Sequence, residues 1–306
     1  MAVAARRSVA PMFNMVQGVD SVVTLPGGGG WRALTGWKSD ARALAAGAFD
    51  TAILFPNSFA TAFTTSKAAI AERWGYAADG RAGWLTRAIA KPAAAMHQRA
   101  YYQALTSALG MESGPPYARV HPNRDRARQI LREIGLDVDE PFVVFAPGAA
   151  YGGAKQWLPQ RFAELARTII TDRGWAVLMV GTAADRPACA QIASLMPATG
   201  TRMNRLIDLC GKSDLPSLAG ILAEARAVVS NDSGAMHLAG AVGTKVVAVF
   251  GPTRETHTFP LAAGPDAPAP TVITSDVFCR PCMLRECPID HRCMTRISAR
   301  EVFDAI

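Results

Sequence analysis

No stretch of this 306-residue sequence is apolar for long enough to cross a bilayer, which takes about 20 residues. The longest apolar runs are strand-sized, so a helical membrane span is not expected. Arg6 and Arg7 stand near the start, but no apolar core of a secretory signal follows them, and a cytoplasmic protein is expected. The G-x-G-x-x-G fingerprint and the Walker A lysine loop are both missing, which argues against a dehydrogenase and a kinase. No repeat of solenoid length occurs. Charged residues are few, at 19%, while hydrophobic residues make up 50%. That balance supplies two buried cores and argues against a disordered chain. The net charge of +7 favours anionic partners: nucleic acid, phosphorylated sugars or an anionic membrane face. The arginines are scattered, however, and no aromatic-plus-basic stripe is present, so nucleic acid is not the expected partner.

What is present reads as strand, helix, strand, helix. Val19–Leu25 is a strand that ends in Pro26 and the run Gly27–Gly30, and Thr51–Phe55 is a strand stopped by Pro56. Helical patterns start at Ser58 and cover Ala93–Leu109 and Asn123–Ile134. Met1–Phe13 reads as a strand end followed by a helix. The polar, turn-rich segment Gly135–Pro141 predicts a linker. Beyond it the alternation is cleaner. Phe142–Ala146, Ala176–Val180, Ala227–Ser230 and Lys245–Phe250 are strands. Pro159–Ile170 repeats its apolar residues at helical spacing, and Gly234–Ala241 is a second helix. Val- and Ile-rich strands joined by helices predict α/β halves, each with a parallel sheet covered on both faces.

In open α/β sheets, ligands bind beyond the carboxyl ends of the strands. Three strand-end turns fit that position. The first, Ala146–Trp157, is glycine-bearing and carries Lys155; exposed amides plus a mobile cation suit a diphosphate as well as they suit a plain loop. The second is Asn231-Asp232-Ser233-Gly234, at the start of a helix. Its three polar residues are all good N-cap types, and the first-turn amides favour an anion. Gly234 admits close approach of a ligand, and His237 lies four residues after Ser233 on the same helix face. Asp232 would repel a phosphate, so it is expected to cap the helix or to accept from sugar hydroxyls. The third turn, Phe250-Gly251-Pro252-Thr253, is unremarkable alone. Together the three describe a site for a nucleotide diphosphate.

Several motifs resemble the ADP-heptose:lipopolysaccharide heptosyltransferases of glycosyltransferase family 9. They are Pro147-Gly148-Ala149 with Lys155-Gln156-Trp157-Leu158-Pro159 and Phe162, then Ser230–Ala239, then Val249–Thr253. Leu54–Phe59, Glu72–Tyr76, Asp79-Gly80-Arg81 and Trp84-Leu85-Thr86 extend the likeness into the first half. The tail Cys279-Arg280-Pro281-Cys282 through Cys293-Met294 is similar to the heptosyltransferase II branch. The resemblance implies the GT-B fold, two facing Rossmann-like domains with parallel sheets. Residues 1–138 would be the acceptor-binding domain, and 139–306 the nucleotide-sugar domain with its Cys-rich tail. It implies inverting, metal-independent transfer of heptose from ADP-heptose to the lipopolysaccharide inner core, with no cofactor. That acceptor would be met at the cytoplasmic face of the inner membrane, with peripheral membrane contact. Gly148, Lys155, Asp232, Ser233, Gly234, His237 and Thr253 would hold the donor; Asn57, Ser58, Arg73 and Arg81 would face the acceptor, Arg because its fork binds phosphate bidentately.

The chain departs from the family pattern twice. A basic residue usually follows Asn57-Ser58-Phe59, and here Ala60 stands there. Family members also begin with a strand and a glycine–aspartate turn whose aspartate serves as general base. This chain is expected to start near the second strand, so its catalytic residue is unassigned. Two other readings are a related nucleotide-sugar transferase of different specificity and a truncated paralogue that only binds donor.

Of six cysteines, Cys189 and Cys210 read as lone core residues. The other four follow the spacing Cys279-x₂-Cys282-x₄-Cys287-x₅-Cys293, with His291 among them. Clustered thiols in a cytoplasmic chain fit a tetrahedral metal, packing thiols or a disulfide formed on oxidation. The family's activity implies no metal here.

Overall fold

The computed structural model describes residues 1–27, 33–137, 139–197 and 205–306. Gly28–Gly30 of the glycine run and Val138 of the expected linker lie outside these residues. The chain divides into two compact units, Met1–Pro115 and Pro116–Ile306.

Among the described residues, the first unit holds two parallel sheets. Strand β1 (Ala2–Arg6) pairs with β2 (Ser21–Leu25), and β3 (Thr51–Leu54), β4 (Glu72–Tyr76) and β5 (Arg87–Ile89) form the other. The strand and helical turn read in Met1–Phe13 are present as β1 and Ala10–Phe13. Helix Phe59–Lys67 starts at Ser58, whose hydroxyl accepts from the Thr61 amide. The helix expected over Ala93–Leu109 begins only at Gln98, where the His97 ring nitrogen accepts from the Arg99 amide and sets the start. Cores here are small, one around Leu44 and Ile70 and another around Tyr76, Leu105 and Leu109.

Among the described residues, the second unit holds a six-stranded parallel sheet with helices. Its strands are β6 (Phe142–Ala146), β7 (Ala176–Met179), β8 (Leu206–Asp208), β9 (Ala227–Asn231), β10 (Val246–Phe250) and β11 (Thr271–Thr274). Their order is β11-β10-β9-β6-β7-β8. Every residue of β6, β9 and β10 is buried, as the apolar runs of β6 and β10 require in a sheet covered on both faces. Chain order reverses between β6 and β9. That neighbouring pair is the switch point, where connections leave in opposite directions and open a crevice at the strand ends. On one face, Phe162, Leu165 and Ile169 pack with Val143, Val177, Val302 and Ile297 into one core.

Two expectations are corrected. The chain divides before residue 116, not near 138, because the segment after Pro116 is laid on the second unit. The Ala118 amide donates to Ala262 O and the Val120 amide to Ala241 O. Helix Arg124–Glu133 then packs on helix Leu215–Glu224. Gly220 lets them meet, since a Cβ there would stand 2.7 Å from the Ala127 Cβ. Arg124 and Arg128 both bind Glu224, at 2.7 and 3.1 Å. Secondly, Cys189 and Cys210 are not lone thiols: they form a disulfide between helix Arg186–Ser194 and the turn after β8.

Candidate functional site

The seven residues expected to hold a donor lie on three adjacent strand ends of the second unit. Gly148 and Lys155 follow β6. Asp232, Ser233, Gly234 and His237 follow β9, and Thr253 follows β10. Lys155 Nζ sits 2.5 Å from Asp232 Oδ2, and Thr253 Oγ1 donates to the same oxygen at 2.7 Å. The Tyr151 ring lies beneath the ammonium, with its centroid 4.7 Å away. Asp232 and Thr253 are buried and Lys155 is half-buried, so the site is a sheltered ion pair rather than a surface one.

Asn231 and Asp232 do not cap the helix that follows them. Asn231 Oδ1 accepts from the Trp157 amide at 2.9 Å, and its Nδ2 donates to Pro147 O at 2.7 Å. It therefore staples both ends of the Lys155 loop to β9. Asp232 is committed to Lys155 and Thr253. Ser233 is the N-cap residue by backbone, but its hydroxyl pairs with Ser230 Oγ at 3.1 Å, and no side chain caps the helix Gly234–Ala241. A Cβ built on Gly234 would meet no protein atom, so space stands open before this helix start. His237 is exposed, one turn further along.

Trp157 fixes the end of the loop. It is buried, its Nε1 donates to Ile297 O at 3.1 Å, and its ring meets Phe162 edge-on at 4.9 Å. Beside it is a cavity of about 220 Å³ lined by Pro147, Trp157, Asp185 and Gln191. Sequence reasoning missed Asp185, which lies in the turn after β7 and accepts from both the amide and the hydroxyl of Thr182. A Cβ on Gly148 would collide with its carboxylate. The signal was a fourth glycine-bearing strand end, Gly181–Asp185.

The first-unit candidates do not form one group. Asn57 and Ser58 follow the carboxyl end of β3, where Asn57 Nδ2 donates to the Tyr101 hydroxyl at 2.8 Å. Arg81 reaches Asn57 Oδ1 at 3.5 Å but is fully buried. Its guanidinium donates to the carbonyls of Tyr76, Pro56 and Leu54. Burial pushes its pKa below the ordinary arginine value, against the pull of Asp79 and Tyr101. Arg73 is the second residue of β4, at the opposite end of that sheet from Asn57, and donates to the carbonyls of Trp84, Ile70 and Ala71. Both arginines were expected to present forks to phosphate; in the structure both donate to backbone carbonyls, Arg81 from full burial and Arg73 from a half-buried position.

The tail lies against the same strand ends. Its four cysteines are free thiols, and Cys293 is buried. Burial, then the charges of Cys279, Cys287 and Cys282, push the Cys293 thiol up to about 11. No helix among the described residues is long and apolar enough to cross a membrane.

Comparison with known proteins agrees with this architecture. The family model of glycosyltransferase family 9 (heptosyltransferase) matches residues 37–292. The lipooligosaccharide heptosyltransferase 2 of Haemophilus influenzae is 34% identical over 225 residues, which are 70% of this chain and 64% of that protein. The match thus spans less than two-thirds of that relative's length. The lipooligosaccharide heptosyltransferase 2 of Haemophilus ducreyi is 30% identical over 265 residues, 82% of this chain and 74% of that protein. Among solved structures, E. coli ADP-heptose lps heptosyltransferase II superposes with a TM-score of 0.81 at 24% identity, covering 99% of this chain and 87% of that one. A match of this extent settles the family: the chain is a member of glycosyltransferase family 9, in its heptosyltransferase II branch.

Proposed function

We propose that the chain transfers a heptose from ADP-heptose to the lipopolysaccharide inner core. The observation that carries this reading is Lys155, Asp232 and Thr253 meeting before an uncapped helix start at the β6–β9 switch point. Outward-facing amides and a lysine are what a diphosphate needs, and the named relatives supply the sugar.

The amides at Gly234 and Ala235 bind the diphosphate, and the Lys155 ammonium swings from Asp232 onto it. Asp232, released in part, accepts from donor hydroxyls, with Ser233 and His237 at the rim. Gly148 lets the Asp185 carboxylate close on the Lys155 loop, beside the place assigned to the nucleotide. In the transfer, the acceptor oxygen bonds to the anomeric carbon as the bond from that carbon to the phosphate oxygen breaks. Attack from the opposite face inverts the centre. The electron pair leaves with ADP, and the proton of the acceptor hydroxyl passes to a base. Lys155 and the helix amides stabilise the charge on the leaving diphosphate, a large electrostatic share of such a step.

Asn57 and Ser58 are the first-unit residues we assign to the acceptor. Arg73 and Arg81 support that unit. None of these four is a base, so the proton acceptor stays unassigned. The acceptor's place would bring the protein to the cytoplasmic face of the inner membrane as a peripheral partner.

The test is a transfer assay with ADP-heptose and a heptose-deficient core acceptor, run beside other nucleotide sugars. Transfer of heptose alone supports the reading. Turnover with another nucleotide sugar points to a different specificity, and donor binding without turnover points to a donor-binding protein.

A further inference from the structure

The segment Cys279–Cys293 grips both loops of the proposed donor site. On one side, the Tyr151 hydroxyl donates to Met283 O at 2.8 Å, and the Gly153 amide donates to Glu286 Oε1 at 3.1 Å. The Ala154 amide donates to Arg285 O at 2.9 Å, and His291 Nε2 lies 2.7 Å from Ala154 O. These contacts surround the backbone that carries Lys155. On the other side, Arg280 donates to Gly251 O at 2.7 Å and to Thr253 O at 3.2 Å, and the Met283 amide donates to Pro252 O at 3.0 Å. These hold the turn that carries Thr253.

Little in the segment holds it to itself. It is irregular up to Arg292, and its apolar side chains Met283, Leu284 and Ile289 face solvent. A short segment without a core needs a cross-link to stay in one conformation. Its thiols offer one. Met283, directly after the Cys279-x₂-Cys282 pair, is left-handed at φ 56° and turns the chain there. His291 is also left-handed, at φ 56°, and its amide donates to Cys287 Sγ at 3.3 Å. Cys279, Cys282 and Cys287 all lie close enough to Cys293 to act on its charge. Four thiols within fifteen residues are the donor set of a tetrahedral thiophilic metal.

We propose that Cys279, Cys282, Cys287 and Cys293 bind one thiophilic divalent cation of the Zn²⁺ type, and that this ion fixes the segment positioning Lys155 and Thr253. Four thiolates close a tetrahedral shell and leave no open position, so the ion is structural. Among the described residues no three of these thiols stand within 4.8 Å of one another, so binding draws the segment inward. Each cysteine gives up its proton as the metal enters. The link to Lys155 and Thr253 rests on the donor-site reading; the ion site does not.

The test titrates the reduced full-length chain with Co²⁺ and then displaces it with Zn²⁺. One equivalent of Co²⁺ with thiolate-to-cobalt charge transfer and tetrahedral d–d bands is expected, lost on addition of Zn²⁺. Cys282→Ser, at an exposed thiol, should weaken Co²⁺ binding by at least about tenfold, and Cys287→Ser should do the same. Absence of these bands in a chain whose free thiols all react with a thiol reagent would overturn the site. Bands untouched by both substitutions would overturn it too. Calorimetry with ADP then tests positioning: the Zn²⁺-loaded chain should bind ADP about tenfold more tightly than the stripped one. One equivalent of Zn²⁺ with equal ADP affinity in both forms would overturn the positioning role alone. If neither form binds ADP while the cobalt bands appear, the donor reading fails and the ion site stands.

Discussion

Lys155 Nζ and Thr253 Oγ1 converge on one oxygen of Asp232, from 2.5 and 2.7 Å, though the three residues come from three different strand ends. The lysine is therefore partnered before any anion arrives, and Asp232 is left with a bare charge if the lysine is removed. Lys155→Ala should weaken ADP binding about 10- to 100-fold, the loss of a charge-assisted contact plus the exposed carboxylate. Adding Asp232→Asn should recover part of that loss. Calorimetry on both variants decides it. A double variant no tighter than Lys155→Ala alone would contradict the role of Asp232 as counter-charge.

Arg81 makes a contrasting prediction. Its guanidinium satisfies carbonyls of three residues in the first unit while fully buried. Arg81→Ala should cost about 3 kcal/mol or more, because it orphans those acceptors. Ser58→Ala, which removes a helix cap, should cost only about 1 kcal/mol. Denaturant unfolding of the two variants checks the order. ADP affinity should stay unchanged in folded Arg81→Ala, since the donor residues are in the other unit.

Much of the second unit could be read from the sequence, and the reasons are specific. β6 and β10 are unbroken apolar runs, as strands buried on both faces must be. β4 was missed because Glu-Arg-Trp-Gly-Tyr has neither a run nor an alternation of apolar residues. The polar residues Asn231 and Asp232 at the end of β9 looked like caps, a local role. Their real partners lie 74 residues away for Asn231 and 77 for Asp232, and no local pattern announces such pairs. The carbonyl partners of Arg73 and Arg81 are hidden from the sequence for the same reason. An arginine that will satisfy buried carbonyls looks in sequence like one that binds phosphate.

Asp214 supplies a pH prediction. It caps helix Leu215–Glu224 by accepting from Ser217, and that bonding lowers its pKa below the ordinary carboxylate value. A depressed carboxylate contributes stability above its unfolded pKa, and the contribution fades as pH falls through the folded one. Asp214→Ala should therefore cost about 1 kcal/mol at neutral pH, with the difference from the unaltered chain shrinking in acid. Thermal melts at neutral and acidic pH would show it. A gap that widens in acid would contradict the assignment.

Gly152 permits the tail to close on the Lys155 loop. Its φ is 152°, and a Cβ there would collide with the Arg285 carbonyl. Gly152→Ala should push the tail outward, speed proteolysis around residues 280–290 and lower ADP affinity, while the β6–β9–β10 core keeps its unfolding transition. Unaltered proteolysis together with unaltered affinity would show that this contact does not set the loop.

The central claim is that the ends of β6, β9 and β10 build a diphosphate site. The most direct test is calorimetric titration of the 306-residue chain with ADP and with AMP. The account predicts one ADP site per chain, binding more tightly than AMP because the second phosphate reaches Lys155 and the amides before helix Gly234–Ala241. Equal affinity for ADP and AMP, or ADP affinity untouched by Lys155→Ala, would contradict it.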